Sequence, residues 1–201
     1  MCNLYRMKAS SAEVAGLFRV VNAAGGANLP AEVYPGYPAL VIAGGELRQM
    51  TWGFPLPHKS KATGQPLKPK PVNNARADKL ESFFWRGSFA SRRCLIPVTA
   101  FAEAEGEKGK KTRTWFSVPD EPVFACAGVW RQSDEWGAVF SMVMTDASPA
   151  VAPVHDRMPV ILAPDDHAAW MEAKPAEALE LCRPYAGELE VERSEQPWSG
   201  R

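Results

Sequence analysis

Residues 93–103 read Arg93-Cys94-Leu95-Ile96-Pro97-Val98-Thr99-Ala100-Phe101-Ala102-Glu103. The run 94–101 is short, nearly all apolar and rich in β-branched and aromatic side chains, which predicts a buried strand rather than a helix. It ends by delivering a carboxylate, Glu103. Similar runs, each closed by Gly, Pro or Asp, recur at 39–43, 47–52, 114–118, 123–130, 138–145 and 158–162. With 18 prolines and 15 glycines spread between them, the chain reads as many short strands joined by turns.

Helical signals are fewer. Ser10 and Glu13 have capping-box spacing, and Val14, Leu17, Phe18 and Val21 follow at i, i+3, i+4 and i+7. This predicts about three turns packed on the core and stopped by Gly25-Gly26. A second helix is expected over 79–86, capped by Asp78 and Glu81, and two more over 164–172 and 175–182, each opened by proline. The polar, lysine- and proline-rich stretch 58–72 reads as a mobile surface loop. No internal repeat is visible. The expected fold class is α+β: one compact β-rich domain over 1–201, mainly antiparallel sheet or barrel, with peripheral helices.

At 201 residues, 46% hydrophobic and 23% charged, the chain has the composition of a soluble globular domain, and two domains would be cramped. No apolar run reaches membrane-spanning length, and the N-terminus lacks the apolar segment of a signal peptide. A cytoplasmic protein is therefore expected, as a monomer without metal or other cofactor. Cys2, Cys94, Cys126 and Cys182 lie far apart, so neither metal-knuckle spacing nor a disulfide framework is read. The last three sit among apolar neighbours and read as buried, inert thiols. Net charge is zero, yet 58–93 carries a balance of +7 and 165–195 one of −6. The positive stretch, which includes Arg76 and Arg86, is either a phosphate-binding stripe or a solvated loop.

Cys2 is the first candidate for chemistry. Removal of Met1 would expose a terminal 1,2-aminothiol, a group that no internal cysteine offers. Its amine, with a pKa of about 7.7–8, is partly neutral at physiological pH and condenses with aldehydes. The neighbouring thiol can then close a five-membered thiazolidine. A second cluster, Val72-Asn73-Asn74-Ala75-Arg76-Ala77-Asp78, offers amides that hold an amine without neutralising it and an Arg for phosphate, or else a loop-to-helix turn. Glu103 is suited to proton transfer if partly buried, and is otherwise an ordinary surface acid. His155 enters a strand two residues before Arg157 and could share its face, or be structural.

These segments together resemble the SOS-response-associated peptidase (SRAP) family, whose members shield abasic sites. The resemblance rests on the opening Met-Cys, TWGFP at 51–55, NAR at 74–76, the 92–103 run ending in Glu103, AGVW at 127–130, a strand ending at Thr145 and HDRMPVIL at 155–162. It covers about 1–185 and leaves 186–201 as a C-terminal tail. By resemblance, Cys2 is the cross-linking residue and Asn74 orients its amine. Glu103 shuttles protons during condensation, and His155 helps open the deoxyribose ring. Arg76 and Arg157 hold phosphates, joined by Arg86 from the same basic stretch. Trp52 either offers a platform to a base or packs in the core. The implied partner is single-stranded DNA containing abasic sites, held in a basic groove, and the implied product is a covalent thiazolidine cross-link.

The chain departs from the family pattern in having Asn3 and Leu4 after the cysteine, Ala102 and Ala104 beside Glu103, and Asp78 where a glutamate is common. Three rival functions compete. An N-terminal-nucleophile glutamine amidotransferase would hydrolyse glutamine but leaves HDRMPVIL and NAR unused. A cysteine peptidase of Cys2, Glu103 and His155 could have removal of Met1 as its one cleavage. A non-catalytic single-strand binder would retain DNA without covalent mass.

Overall fold

The computed structural model of the chain describes residues 2–25 and 29–198. In chain order its elements are β1 (Tyr5–Arg6), α1 (Ser11–Phe18), β2 (Val21–Asn22), β3 (Glu32–Val33), β4 (Pro38–Ala43), β5 (Glu46–Trp52), β6 (Phe54–Lys59), β7 (Pro66–Val72) and β8 (Asn74–Arg76). There follow α2 (Arg86–Ser91), β9 (Arg93–Val98), β10 (Ala100–Glu105), β11 (Thr112–Ser117), β12 (Phe124–Ser133) and β13 (Gly137–Asp146). The last are β14 (Arg157–Pro159), β15 (Ile161–Leu162), α3 (His167–Glu172), α4 (Pro175–Glu180) and β16 (Glu190–Pro197). The expected β-rich α+β class holds.

The apolar run 94–101 is two strands in two sheets. It breaks at Thr99, whose N–H and hydroxyl both donate to the Arg6 carbonyl, at 2.8 and 3.1 Å. Before the break, β9 pairs with β12 and β4 in a sheet ordered β14-β13-β12-β9-β4-β5-β2; after it, β10 joins a five-stranded sheet ordered β16-β11-β10-β1-β3. The corner at Thr99 therefore carries Glu103 out of one sheet and lays it beside the N-terminal strand. All six residues of β9 are buried, as a strand covered on both faces requires. Residues beyond 185 supply β16, which pairs with β11 and covers that sheet's edge.

Trp52 and Phe140 stack within the core, with ring centroids 6.4 Å apart, and Tyr5 meets Trp52 edge-on at 4.9 Å. Arg93, counted above among the surface cations, is buried. Its guanidinium donates to the carbonyls of Phe89, Trp170 and Ala173, satisfying the ends of α2 and α3.

Three expectations are corrected. Helix α1 keeps its capping box (Ser10 N to Glu13 Oε2 2.7 Å, Glu13 N to Ser10 Oγ 3.2 Å) but has only eight residues. Arg19, at φ 53°, ends it in a left-handed turn well before Gly25; Gly26 lies outside the described residues. Leu17 (54%) and Val21 (65%) are exposed, so the apolar spacing there does not mark a buried face. The second helix starts where it was expected to finish, at Arg86. The Asp78 carboxylate is taken by Arg76 in two hydrogen bonds of 2.9 and 2.8 Å, leaving no cap, and 77–79 form only a 3-10 turn. Finally, 58–72 is a loop only over 60–65: on either side of it β6 and β7 form a two-stranded antiparallel ribbon. Its prolines include the facing pair Pro55 and Pro71, where neither strand has an N–H to donate.

Candidate active site

Cys2 lies at the point where the two sheets meet, fully buried ahead of β1. The Leu4 carbonyl accepts the N–H of Ala102 at 3.0 Å, extending the β1–β10 pairing toward the N-terminus, and the Cys2 thiol at 3.4 Å. Desolvation, with the nearby Glu103 carboxylate, pushes the thiol's pKa far up, so it rests protonated.

The Cys2 carbonyl is held from the other sheet. Parallel pairing of β8 with β13 places Asn74 beside Met142, and Asn74 Nδ2 donates to Cys2 O at 2.7 Å. Asn73 Nδ2 donates to the same oxygen at 2.9 Å and to Asn3 Oδ1 at 3.0 Å. Asn74 Oδ1 is buried with no hydrogen-bond partner among the described residues. An acceptor so placed is one that a donor beside Cys2 would satisfy.

Glu103 is 2% exposed, and burial lifts its pKa from 4.5 to about 7. His155 Nε2 lies 4.0 Å from Glu103 Oε2. His155 Nδ1 accepts the Arg157 backbone N–H at 3.0 Å, which leaves the neutral ring's proton on Nε2, the nitrogen nearest Glu103. Desolvation lowers the imidazole's pKa, while Asp156, whose Oδ1 is 3.0 Å from Nδ1, opposes that shift. At neutral pH the pair can thus hold a transferable proton beside Cys2. Beside the acid, Ala102 faces Trp115 across β10–β11, and these two with Leu4 form a small buried cluster.

The four residues expected to carry chemistry are therefore brought together from the segment ahead of β1, from β8 and β10, and from the turn before β14. The expected DNA contacts are not gathered so simply. Trp52 is fully buried and presents no face to a base; its indole N–H donates to the Asn73 carbonyl at 2.9 Å, so it supports the site from the core. Arg76 is exposed but paired with Asp78, and Arg157 lies 3.4 Å from Asp146. Arg86 is exposed, its guanidinium 5.2 Å above the ring of Phe83, which is 87% exposed. A cleft of about 350 Å³ runs from Asn74 and Arg76 past Lys79 to Leu56, Val72, Phe84 and Trp85. Asn73 is a site residue with no role assigned from the sequence; the only signal was its adjacency to Asn74. Among the described residues no cluster of His, Cys, Asp and Glu could hold a metal ion.

Fold and site together define a β-rich α+β protein whose N-terminal segment, just ahead of β1, carries a buried thiol between paired amides and a carboxyl–imidazole couple. Over residues 1–196 the chain matches the family described as SOS response associated peptidase (SRAP), and it belongs to that family. It is 30% identical over 110 residues to abasic site processing protein YoaM of Bacillus subtilis (strain 168), covering 50% of this chain and 47% of that one. With abasic site processing protein YoqW of the same organism it shares 30% identity over 121 residues, 56% of this chain and 54% of that protein. The chain thus matches about half the length of these curated relatives. Crystal structures of a protein from Bacteroides thetaiotaomicron (TM-score 0.80, 22% identity, 96% of this chain and 91% of that) and one from Bordetella bronchiseptica (0.80, 23%, 96% and 99%) share the fold.

Proposed function

We propose that this chain processes abasic sites in single-stranded DNA by covalent capture on Cys2 once Met1, which lies outside the described residues, is removed. The observation that carries the reading is the convergence on Cys2 of two amide donors and a carboxyl with its pKa near 7. The names of the curated relatives point to abasic sites as the substrate.

The freed α-amine attacks the aldehyde carbon of the ring-opened sugar, giving a carbinolamine. Glu103, protonated, donates to the departing hydroxyl, and water leaves as the iminium forms. The Cys2 thiol adds to the iminium carbon and gives its proton back to the Glu103 carboxylate, closing the thiazolidine. His155 serves the sugar side, assisting ring opening. Asn74 Oδ1, with the described residues leaving it unbonded, accepts from the amine. A neutral, protonated thiol suits this order of events, in which the amine reacts first. It does not suit a cysteine peptidase, which needs a thiolate activated by imidazole. The cleft beside Asn74 leads the strand outward along the ribbon face that carries Leu56, Lys70 and Val72, with Arg76 and Lys79 at its rim.

The test is the intact mass of the protein after incubation with an oligonucleotide carrying one abasic site. The expected mass is that of the chain without Met1 plus the DNA, less one water, stable to heat. Cys2→Ala should yield only an imine, seen after borohydride trapping. A heat-stable adduct of undiminished yield from Cys2→Ala would exclude the thiazolidine.

A further inference from the structure

Asn73 has no part in the proton transfers above, yet both its backbone carbonyl and its side-chain amide are anchored beside Cys2. Its carbonyl accepts from the Trp52 indole and from the Met142 N–H, both at 2.9 Å, which fixes its backbone against the core from two directions. Both protons of its Nδ2 are then used, one on Cys2 O at 2.9 Å and one on Asn3 Oδ1 at 3.0 Å. Asn74 donates to the same Cys2 oxygen at 2.7 Å. Two donors saturate the two lone pairs of that carbonyl. One donor would leave the peptide plane after Cys2 free to swing about the hydrogen bond. A second, from a different backbone position, removes that freedom and so sets the directions in which the α-nitrogen and β-carbon of Cys2 leave the plane.

We propose that Asn73, braced by Asn3 and Trp52, is a positioning residue that holds the Cys2 carbonyl so that amine and thiol face the same aldehyde carbon. This rests on the reading of Cys2 as nucleophile. The positive ends of two N–H dipoles at the carbonyl also draw electron density from the neighbouring amine and lower its basicity, which enlarges the neutral, reactive fraction. Among the described residues, the titratable groups around Cys2 are its own thiol, Tyr5 on β1, Glu103 on β10, Cys126 on β12, and His155 with Asp156 ahead of β14. Asn3, Asn73, Asn74 and Trp52 are all neutral, so replacing an asparagine alters geometry and dipoles without changing local charge.

The experiment uses protein lacking Met1 with ¹³C- and ¹⁵N-labelled cysteine. NMR reads the Cys2 carbonyl resonance and the pKa of its amine, and single-turnover kinetics read adduct formation at saturating abasic oligonucleotide. Asn73→Ala should move the carbonyl resonance, raise the amine pKa and slow capture roughly fivefold to tenfold, the scale of one lost hydrogen bond. Its Kd for an intact single strand should not change. Asn3→Ala should act in the same direction but less, and the double variant should be no slower than Asn73→Ala alone, because the two act as a unit. A wild-type carbonyl resonance and amine pKa in Asn73→Ala, or slowing that arises only through weaker DNA binding, would overturn the proposal. If the unsubstituted protein forms no adduct, the reading of Cys2 fails, while the resonance and the amine pKa still decide whether Asn73 positions it. If Asn73→Ala does not fold, exposed Asn3→Ala decides by the same readouts.

Discussion

Glu103 concentrates the electrostatic cost of the site in one side chain. It is an acid at 2% exposure whose pKa is raised by burial to about 7. Between pH 4.5 and about 7 the folded protein therefore binds more protons at this position than the unfolded chain does. Stability must fall as pH rises through that window, since the contribution is complete below the unfolded pKa and lost above the folded one. Glutamine has the same shape and does not titrate. Relative to the unsubstituted protein, Glu103→Gln should gain stability as pH climbs, by about 3 kcal/mol across the window for a shift of this size. Urea unfolding of both proteins at half-unit steps from pH 4 to 8 reads this directly, and a flat difference would mean that Glu103 ionises normally. The same variant should capture abasic DNA some ~10²-fold more slowly, the usual contribution of a positioned acid or base. A residue that weakens the fold while speeding the reaction is what a functional site produces, and a residue kept for packing is not.

The elements meet at the turn between β5 and β6, where Gly53 sits at φ 119° and donates its N–H to Phe140 at 2.7 Å. A Cβ there would lie 2.4 Å from Cβ of Pro71, so both the dihedral and the space demand glycine. Gly128 is similarly confined, with Cys94 Sγ and Ile96 Cδ1 both 2.8 Å from where a Cβ would stand. TWGFP and AGVW are thus readable as motifs because close backbone approach leaves no alternative residue. Gly53→Ala should destabilise the protein by about 2–3 kcal/mol from overpacking and dihedral strain together. It should also disturb the ribbon, visible as faster amide exchange in β6 and β7 than in β9; uniform exchange would place the damage elsewhere. Strands with unbroken apolar runs, such as β9 and β12, were legible for the same local reason that they are stable. The ribbon was not, because prolines and lysines in a strand signal a loop unless the strand has only one partner. The short helix α1 misled because Leu17 and Val21 have the right spacing but lie past the core's edge. At the site, Cys2, Asn74, Glu103 and His155 were legible through family resemblance. The clamp by Asn73 on Cys2 spans 71 residues of sequence and the Trp52 contact to Asn73 spans 21, separations that no local pattern encodes.

Across the whole molecule the net charge is zero, and the arginines nearest the site are already answered by acids. Arg76 holds Asp78 in two hydrogen bonds, and both groups are half-exposed, with the carboxyl held below its ordinary pKa by the guanidinium. Arg157 stands 3.4 Å from Asp146. An exposed pair of this kind contributes little to folding, so its effect is better sought in binding. Under the proposed function, a DNA phosphate that takes Arg76 would have to displace Asp78, which would weaken attachment to undamaged strands and leave residence time to depend on covalent capture. Two substitutions separate this from a merely structural pair. Arg76→Ala should weaken binding to an intact single strand and reduce the slope of log K against log salt by roughly 0.7, the value of one phosphate contact on a single strand. Asp78→Asn frees the same guanidinium and should tighten binding to the intact strand severalfold while leaving the slope as it was. Fluorescence anisotropy across a salt series measures both. If Asp78→Asn binds no better, the carboxylate is not competing with phosphate. If Arg76→Ala also keeps its slope, the strand runs along the lysines of β7 without reaching Arg76.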